Sequence, residues 1–311
     1  MNPLKSFWEH WCSFFFAPSS TLPLSLFRIF YGLLALEAGI LIAPDLLTWY
    51  GVHGTLRPAI AEQIYGKLCV DLLLFLPRND ETVIAFFCVY LLSALFVSLG
   101  LFTRFSTIAL YLTLSSFHFR NPQIINSGDD LLRVYSFFMM FAPAGDQLSL
   151  DRWHKKRNKS SGMEEPPLRS LWPQRLIQIE ITLLYMQYFV TKIVDSYWLD
   201  GTAVYYVLVS SELERFPVFF DRQNIWISRF LTYSTLAAEF ALCTLIWVKK
   251  FRYWVLLIGV LLHLGLEYCL NIPIFQHVIL ASYILFIDEK DLAKALKWLT
   301  QVRFAFERKS D

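Results

Sequence analysis

Charged residues are scarce in this chain of 311 residues. Lys, Arg, Asp and Glu together make up 17% of the sequence, whereas hydrophobic residues make up 56%. Soluble globular proteins contain about 25% charged residues, so this scarcity excludes an ordinary soluble domain. Together with a mean hydropathy of +0.44, the composition predicts a membrane protein that crosses the bilayer several times.

The sequence also lacks the short motifs of common enzymes and of nucleic-acid-binding proteins. It contains no Walker loop, no GxSxG nucleophile elbow, no HExxH zinc motif and no dinucleotide-binding fingerprint. Its five cysteines include no CxxC pair, which excludes the usual zinc and disulfide frameworks. We therefore expect no nucleic-acid partner and no metal, and any catalysis must take place within the membrane.

Apolar segments of about membrane length recur along the chain. A helix needs about 20 residues to cross the hydrocarbon core of a bilayer. We predict an all-α, polytopic bundle of about eight transmembrane helices that forms one domain over residues 1–290. The shorter segment 68–77 contains Asp71 and is interpreted as an interfacial or re-entrant piece. The predicted spans are 22–43, 82–101, 106–120, 130–146, 175–197, 227–248, 254–272 and 274–288.

Lys and Arg are distributed unevenly between the predicted loops. The loops 147–174 and 249–253 contain many of them and fall on the same side of eight alternating spans. Because cytoplasmic loops are enriched in Lys and Arg, we predict a multi-pass protein of the plasma (inner) membrane with both termini in the cytoplasm. No cleavage site follows the first apolar run, so we expect that span to act as its own insertion signal.

The C-terminal segment 291–311 is predicted to form an amphipathic cytoplasmic helix on the membrane surface. Its apolar residues recur every three or four positions, and Lys294, Lys297 and Arg303 lie away from them. We expect this helix to dock on the bilayer, with partner binding as the alternative. The apolar stripe contains Leu292, Leu296, Leu299, Val302 and Phe306.

The first and fourth predicted spans are among those that contain charges, which cost about 2.5–3.5 kcal/mol each near the bilayer centre. Arg28 and Glu37 lie too far apart on the first span to pair with each other, so each needs a partner on another helix. Asp129 and Arg133 lie one helical turn apart at the start of the fourth span and can pair on one face. We interpret Arg28, Asp129 and Arg133 as candidate substrate-binding residues; ion pairs that only stabilise the bundle are the alternative.

The fifth and seventh spans contain the candidate catalytic residues. Lys192 lies near the end of the fifth span, shortly before Trp198, which is a candidate substrate-binding residue. His263 and Glu267 lie four positions apart on the seventh span, so Glu267 can orient His263 for acid–base catalysis. The alternatives are a lysine that extends to the membrane surface, a buried structural histidine, and two metal ligands that lack an evident third.

Four blocks of this sequence, taken in order, resemble the HTTM (horizontally transferred transmembrane) family, which includes the vitamin K-dependent gamma-carboxylases. The resemblance extends over about residues 20–290. The blocks are "LFRIFYGLL", "NSGDDLLRVYSFFMMFAPAGDQLSLD", "RLIQIEITLLYMQYFVTKIVDSYWLDGTAVYY" and "HLGLEYCLNIPIFQHVILASYILF".

The resemblance implies a helical membrane core with a polar cavity that opens to the outer side. In the carboxylases this cavity oxidises reduced vitamin K and deprotonates a glutamate side chain. The family pattern has two adjacent lysines here; Lys192 matches the first, but Ile193 occupies the place of the second, catalytic one. An Asn-Asn-His block is replaced by Asn126, Ser127 and Gly128, whereas His263 matches a family histidine. We therefore expect a divergent member that is not a true vitamin K-dependent carboxylase.

Three functions are compatible with the sequence. In the first, an outward-facing cavity binds a lipid or quinone-like molecule, and Lys192, His263 and Glu267 carry out acid–base chemistry on it. In the second, the chain is a non-catalytic membrane subunit, or a maturation, export or immunity partner, of a secreted peptide. The third is a transporter, against which the absence of paired broken helices weighs. The sequence leaves open whether the chain is an enzyme. It predicts that the lipid bilayer surrounds the protein.

Overall fold

The computed structural model describes residues 3–56, 60, 70–158, 165–210, 212–216 and 225–307, and this part of the chain is almost entirely helical. Two short strands, β1 (Pro18–Ser19) and β2 (Arg169–Ser170), pair antiparallel. The all-α class predicted from the sequence is confirmed. The α-helices of the described ranges are α1 (Pro3–Phe16), α2 (Leu22–Ile42), α3 (Leu46–Tyr50), α4 (Asp80–Leu99), α5 (Thr103–Arg120), α6 (Ser127–Met139), α7 (Leu150–Asn158), α8 (Trp172–Lys192), α9 (Ser196–Leu199), α10 (Ala203–Leu208), α11 (Ile225–Thr244), α12 (Arg252–Cys269), α13 (Phe275–Ser282) and α14 (Glu289–Glu307).

Helix α4 illustrates how local sequence sets the helix ends. The Asn79 side chain accepts a hydrogen bond of 2.8 Å from the backbone N–H of Thr82 and caps the first turn. The acids Asp80 and Glu81 follow, where negative charge is favourable against the helix dipole. The helix ends at Gly100, whose φ of +66° is a left-handed conformation that favours glycine.

Helices α2, α4, α5 and α6 pack into the first part of the bundle. The closest approach is at Gly32, where a side chain would collide with the backbone of Ser98 on α4. The hydroxyl of Tyr90 donates to the carbonyl of Ala35 at 2.5 Å, and that of Tyr31 donates to the carbonyl of Leu132 at 3.1 Å. These bonds stabilise the bundle because they give buried hydroxyl groups acceptors inside an apolar core.

The bundle has two ends that can be identified from contacts alone. We call one the strand end: it contains β1 and β2, and there Arg28 near the start of α2 meets Leu148. We call the other the rim end: it contains the start of α6, the start of α13 and the end of α8. The close approach of Gly128 to Phe275 joins two of these elements at the rim end.

The described parts of the two basic loops, 147–174 and 249–253, both lie at the strand end. The loop before α8 leads into β2, and the turn before α12 lies beside Arg175 of α8. The two loops therefore lie on the same side of the bundle, as predicted. Their cytoplasmic location remains a prediction.

Four helical segments are long and apolar enough to cross a membrane, which supports a membrane location. They are Leu22–Tyr50, Asp80–Leu99, Ile225–Trp247 and Arg252–Cys269. Helices also lie within the other four predicted spans and cover them wholly or in part. These helices are shorter or more polar, so the eight-span topology remains a prediction. Helix α14 covers most of the predicted tail, and whether it lies on the membrane surface also stays a prediction.

The described part of the segment 68–77 forms a single 3₁₀ turn over Leu72–Phe75. Asp71 precedes it and is buried, with an oxygen 3.9 Å from a guanidinium nitrogen of Arg120. Burial raises the pKa of Asp71, and Arg120 together with the Leu73 N–H opposes that rise. The acid that interrupts this apolar segment thus has a partner on α5; residues 68 and 69 lie outside the described residues.

Candidate functional site

Lys192, the last residue of α8, pairs with Glu239 of α11. The ammonium group donates a hydrogen bond to Oε1 of Glu239, and the two side chains are 22% and 6% exposed. The lysine therefore points to a neighbouring helix and does not extend freely into lipid. Oε2 of Glu239 is buried and accepts no hydrogen bond from the described residues, so this carboxylate retains an acceptor that is not used.

Aromatic rings enclose the ammonium group of Lys192. Its Nζ atom lies 4.5 Å from the ring centroid of Trp198 and 5.6 Å from that of Tyr188. An ammonium ion over an aromatic face is attracted by the negative charge of the ring face. Lys192 and Trp198, two residues predicted for the site, therefore lie together.

Four buried residues beside this pair form a continuous hydrogen-bonded chain, which we call the relay: Gln276, His263, Tyr185 and Tyr283. Nδ1 of His263 contacts Oε1 of Gln276, and Nε2 of His263 lies 2.6 Å from the Tyr185 hydroxyl. The Tyr185 and Tyr283 hydroxyls are 2.5 Å apart. The relay connects helices α8, α12 and α13 with the 3₁₀ turn Tyr283–Phe286.

Gln276 sets the direction of the relay. Its amide oxygen can only accept, so Nδ1 of His263 carries a proton, and in the neutral ring Nε2 is the acceptor. With the ring neutral, Tyr185 donates to Nε2, and Tyr283 donates to Tyr185. In this form the histidine is a base whose accepting nitrogen faces a chain of two hydroxyl groups.

The ion pair and the relay lie close enough for their charges to interact. The charge of Lys192 acts on His263, and the charge of Glu239 acts on Tyr185. Lys192 is the most exposed of these groups, because every residue of the relay is at least 95% buried. Lys192 is thus the most accessible member of this group.

The prediction that Glu267 contacts and orients His263 is wrong. Glu267 accepts a hydrogen bond of 2.5 Å from Arg215, and its nearest imidazole is that of His277, at 3.8 Å. The backbone explains this choice, because Asn271 donates to the carbonyl of Leu213 at 2.7 Å and brings Arg215 beside the end of α12. A guanidinium gives a carboxylate a stronger, charge-assisted bond than a neutral imidazole.

Asp129 and Arg133 do not pair with each other either. Asp129 accepts a bond of 3.0 Å from the Asn126 N–H in a capping box that begins α6. Arg133 instead donates to Asp130 at 2.6 Å and lies over the ring of Phe119 at 4.7 Å. The cap competes successfully for Asp129, and the described contacts join neither residue to Lys192.

Arg28 lies at the strand end, away from the other predicted site residues. It is fully buried, donates to the carbonyl of Leu148 at 2.5 Å and packs against Gly100. The described contacts of Arg28 are all at the strand end and include none of the other predicted site residues. Glu37, further along α2, does have the expected partner on another helix, since Nδ1 of His277 lies 3.1 Å from its carboxylate.

Within the described ranges, no three His, Cys, Asp or Glu side chains lie close enough together to hold a metal ion. The hydrogen-bonding groups at Lys192 and in the relay are ammonium, carboxylate, imidazole, amide and phenol groups. Such a set can bind a hydroxyl or carbonyl group and can move a proton.

The family model of the HTTM domain matches residues 16–290. The chain belongs to the HTTM family. This membership confirms the resemblance in the sequence and, with the four long apolar helices, identifies a membrane protein. No curated protein and no solved structure gives a significant match to the chain.

Several residues at the centre of this HTTM domain are missed by the sequence analysis. Glu239 carries a usable signal, because it is an isolated carboxylate inside an apolar span. The relay carries none, since Tyr, Gln and His occur throughout helical sequences and only the fold brings these residues together. The missed residues are Tyr185, Glu239, Gln276 and Tyr283, together with Arg215 and His277, which lie beside the carboxylate of Glu267.

Proposed function

We propose that the rim end of this HTTM protein binds a lipid or quinone-like molecule and performs acid–base chemistry on it. The observation that supports this most strongly is the adjacency of the Lys192–Glu239 pair to the relay. Buried titratable groups gathered at one end of a membrane bundle are typical of functional sites. A bundle that needed only stability would gain little from such groups, because buried ion pairs are seldom better than apolar packing.

In this proposal the two parts of the site have separate roles. A hydroxyl or acidic C–H group of the ligand loses its proton, and the relay accepts it at Nε2 of His263 by way of Tyr185. Lys192, held as an ammonium by Glu239, neutralises the anion that remains on the ligand. Trp198 contributes an apolar ring beside that anion. Gln276, and not Glu267, sets the tautomer of His263.

The other predicted residues take supporting roles in the proposal. Glu267, with Arg215 and His277, links the end of α12 to the loop between α10 and α11 and to α13. Asp129 begins α6, and Arg133 with Asp130 shapes the rim. Arg28 stabilises the strand end. We also propose an outward-facing cavity at the rim end and cytoplasmic termini, in agreement with the basic loops at the strand end.

We propose further that the protein is not a vitamin K-dependent carboxylase. The family resemblance puts the catalytic lysine at the position of Ile193, whose side chain has no acid–base chemistry. Ile193 is 39% exposed, so it supplies apolar surface where the carboxylases have an amine. In this proposal the lipid or quinone-like ligand therefore undergoes a reaction other than carboxylation.

The proposal can be tested by turnover of a membrane extract. Proteoliposomes that contain the protein are incubated with total lipids and quinones, and the mixture is compared before and after by mass spectrometry. We expect a compound to be consumed by the wild type, and this consumption to be lost in Lys192→Met and His263→Asn. Lys250→Met is the matched control, because Lys250 is exposed and lies in the turn before α12.

One observation supports a non-catalytic function as the second candidate. The short helices α9 and α10 present Tyr197, Leu199 and Tyr206 more than half exposed, and such an apolar surface fits a secreted peptide. This candidate predicts that the peptide co-purifies with wild type and with Lys192→Met alike. Two results together would favour this function over the first. The peptide would be lost only when Leu199 and Tyr206 are replaced by serine, and the wild type would show no turnover.

A further inference from the structure

A second polar cavity lies at the strand end, separate from Lys192 and the relay. Its volume is about 300 Å³, which is within the range of small-molecule sites. Trp247, Leu285 and Phe286 belong to its apolar lining, whereas the polar groups come from α8, the turn before α12 and the start of α14. The cavity therefore has the two-part lining that an amphipathic ligand requires.

Three cations line this cavity: Arg175, Lys249 and Arg252. Arg175 donates to the carbonyl of Phe14 at 3.2 Å and to Oε1 of Gln178 at 2.9 Å. Arg252 donates to the carbonyl of Ile246 at 3.3 Å and to Asp288 at 2.9 Å. These bonds fix both guanidinium groups and use only some of their five donors.

The two guanidinium groups lie close enough for the charge of Arg252 to oppose that of Arg175. Like charges held together are unfavourable unless anions offset them. Asp288 offsets the charge of Arg252, whereas the described contacts give Arg175 no carboxylate partner, so an anion beside Arg175 would be favourable. Guanidinium groups with free donors match the oxygens of a phosphate, and Lys249 adds a further positive charge.

The cavity also contains hydrogen-bond acceptors, and one of them, on Gln174, has no donor among the described residues. Gln174 is 6% exposed and donates from Nε2 to the carbonyl of Leu285 at 3.0 Å. Its Oε1 atom is buried and has no hydrogen-bond partner among the described residues. Asp288 and Glu289 line the same cavity. A ligand that satisfies this lining needs a hydrogen-bond donor close to its phosphate, because a buried acceptor left without a partner costs about 1–3 kcal/mol.

We propose that this cavity binds the headgroup of a phospholipid in which a phosphodiester is followed by a hydrogen-bond donor, as in phosphatidylethanolamine. Arg175, Lys249 and Arg252 hold the phosphate, and Gln174 with the acids Asp288 and Glu289 accepts from the ammonium group. The cavity lies where the helices end, which is the depth of lipid headgroups, and basic pockets between membrane helices bind such groups. The acyl chains then extend past the apolar part of the lining.

Native mass spectrometry of delipidated protein tests this site. Phosphatidylethanolamine and phosphatidylcholine have the same phosphodiester and net charge, but choline has no N–H donor. We expect about tenfold tighter binding of phosphatidylethanolamine, since an unmade hydrogen bond to a buried acceptor is worth about one factor of ten. Gln174→Leu should remove this preference, with its fold checked by thermal melting.

Two neighbouring lysines supply the matched comparison for the phosphate. Lys249 and Lys250 are both exposed, and only Lys249 lines the cavity. We expect Lys249→Gln to weaken binding of both lipids about fivefold and Lys250→Gln to leave it unchanged. Because Lys249 is exposed, its replacement leaves the packing of the bundle intact.

Three results would overturn the proposal. One is equal binding of the two lipids by the wild type. Another is the same lipid affinity in Lys249→Gln and Lys250→Gln. The third is full displacement of the lipid by soluble phosphoethanolamine or inorganic phosphate at similar concentration, which would identify a soluble phosphate compound as the ligand. None of these results depends on the turnover at Lys192, so this site and the proposed function can fail independently.

Discussion

The ammonium group of Lys192 donates a hydrogen bond to the carboxylate of Glu239 on a neighbouring helix. The pair lies at the end of α8, beside the buried relay of Gln276, His263, Tyr185 and Tyr283. The lysine is thereby fixed in a position from which it can act on a ligand. The arrangement leads to predictions about stability as well as about function.

The first prediction concerns the Lys192–Glu239 pair. Lys192→Met leaves the buried carboxylate without its partner and should destabilise the protein by about 3 kcal/mol. The double variant Lys192→Met, Glu239→Gln removes both charges and should recover most of that loss. Thermal melting in detergent measures both effects, with Lys250→Met as the control that should melt like the wild type. Equal destabilisation in the single and double variants would show that the pair does not form.

The second prediction concerns the hydroxyl at the centre of the relay. Tyr185→Phe leaves Nε2 of His263 and the Tyr283 hydroxyl without a partner and should cost about 1–3 kcal/mol. Tyr111→Phe is the control, because the Tyr111 ring packs against Phe137 and its hydroxyl makes no hydrogen bond with the described residues. The ¹⁵N chemical shifts of His263 should show a protonated Nδ1 in the wild type. A protonated Nε2 would reverse the direction of the relay and contradict the proposed proton path.

Helix α12 offers two glycines for the third prediction. At Gly259 an added Cβ would lie 2.6 Å from the Tyr283 hydroxyl, whereas at Gly265 nothing lies within 4 Å. Gly265→Ala should stabilise the protein by about 0.5–1 kcal/mol, because alanine is the better helix former. Gly259→Ala should displace Tyr283 and destabilise the protein, although it brings the same gain in helix propensity. If both variants melt above the wild type, Tyr283 does not pack on α12 as described.

A fourth prediction concerns pH and the strand end. Partial burial of Asp151 favours its neutral form, but the N–H groups of Phe102 and Thr103 and the Thr103 hydroxyl donate to its carboxylate and lower its pKa overall. Because the folded-state pKa lies below the unfolded one, the stabilisation is present above the unfolded pKa and is lost as pH falls through the folded value.

Melting curves between about pH 6 and about pH 3 test the role of Asp151. We expect the wild type to melt above Asp151→Asn at the higher pH and to approach it at the lower pH. The exposed Asp45 supplies the control, since Asp45→Asn should keep the pH dependence of the wild type. A constant difference between wild type and Asp151→Asn over this range would show that the carboxylate bonds contribute nothing.

The sequence predicts the helices well and their contacts poorly. Apolar runs of membrane length locate the helices, and the cost of charge in a bilayer marks Lys192 as a residue that needs a partner. The spacing of His263 and Glu267 only shows that the two side chains can meet. It does not show that Arg215 competes for Glu267, because that depends on a backbone contact between segments distant in the sequence.

The predicted rim cluster fails for a similar reason. Asp129 and Arg133 are correctly spaced for an ion pair, yet Asp129 closes the capping box and Arg133 pairs with Asp130. Local backbone hydrogen bonds decided this competition, and residue spacing alone does not report their strength. The relay is harder still to predict, because its four members come from four separate elements.

The central claim is that Lys192 and the relay form a site for a lipid or quinone-like molecule. Native mass spectrometry of the purified protein, released gently from detergent, tests it most directly. We predict that the wild type and Lys250→Met retain a bound lipid or quinone-like compound that Lys192→Met and Tyr185→Phe lose, while all four variants keep lipids bound elsewhere. A wild type without such a compound, or the same compound at the same occupancy in all four, would contradict the account.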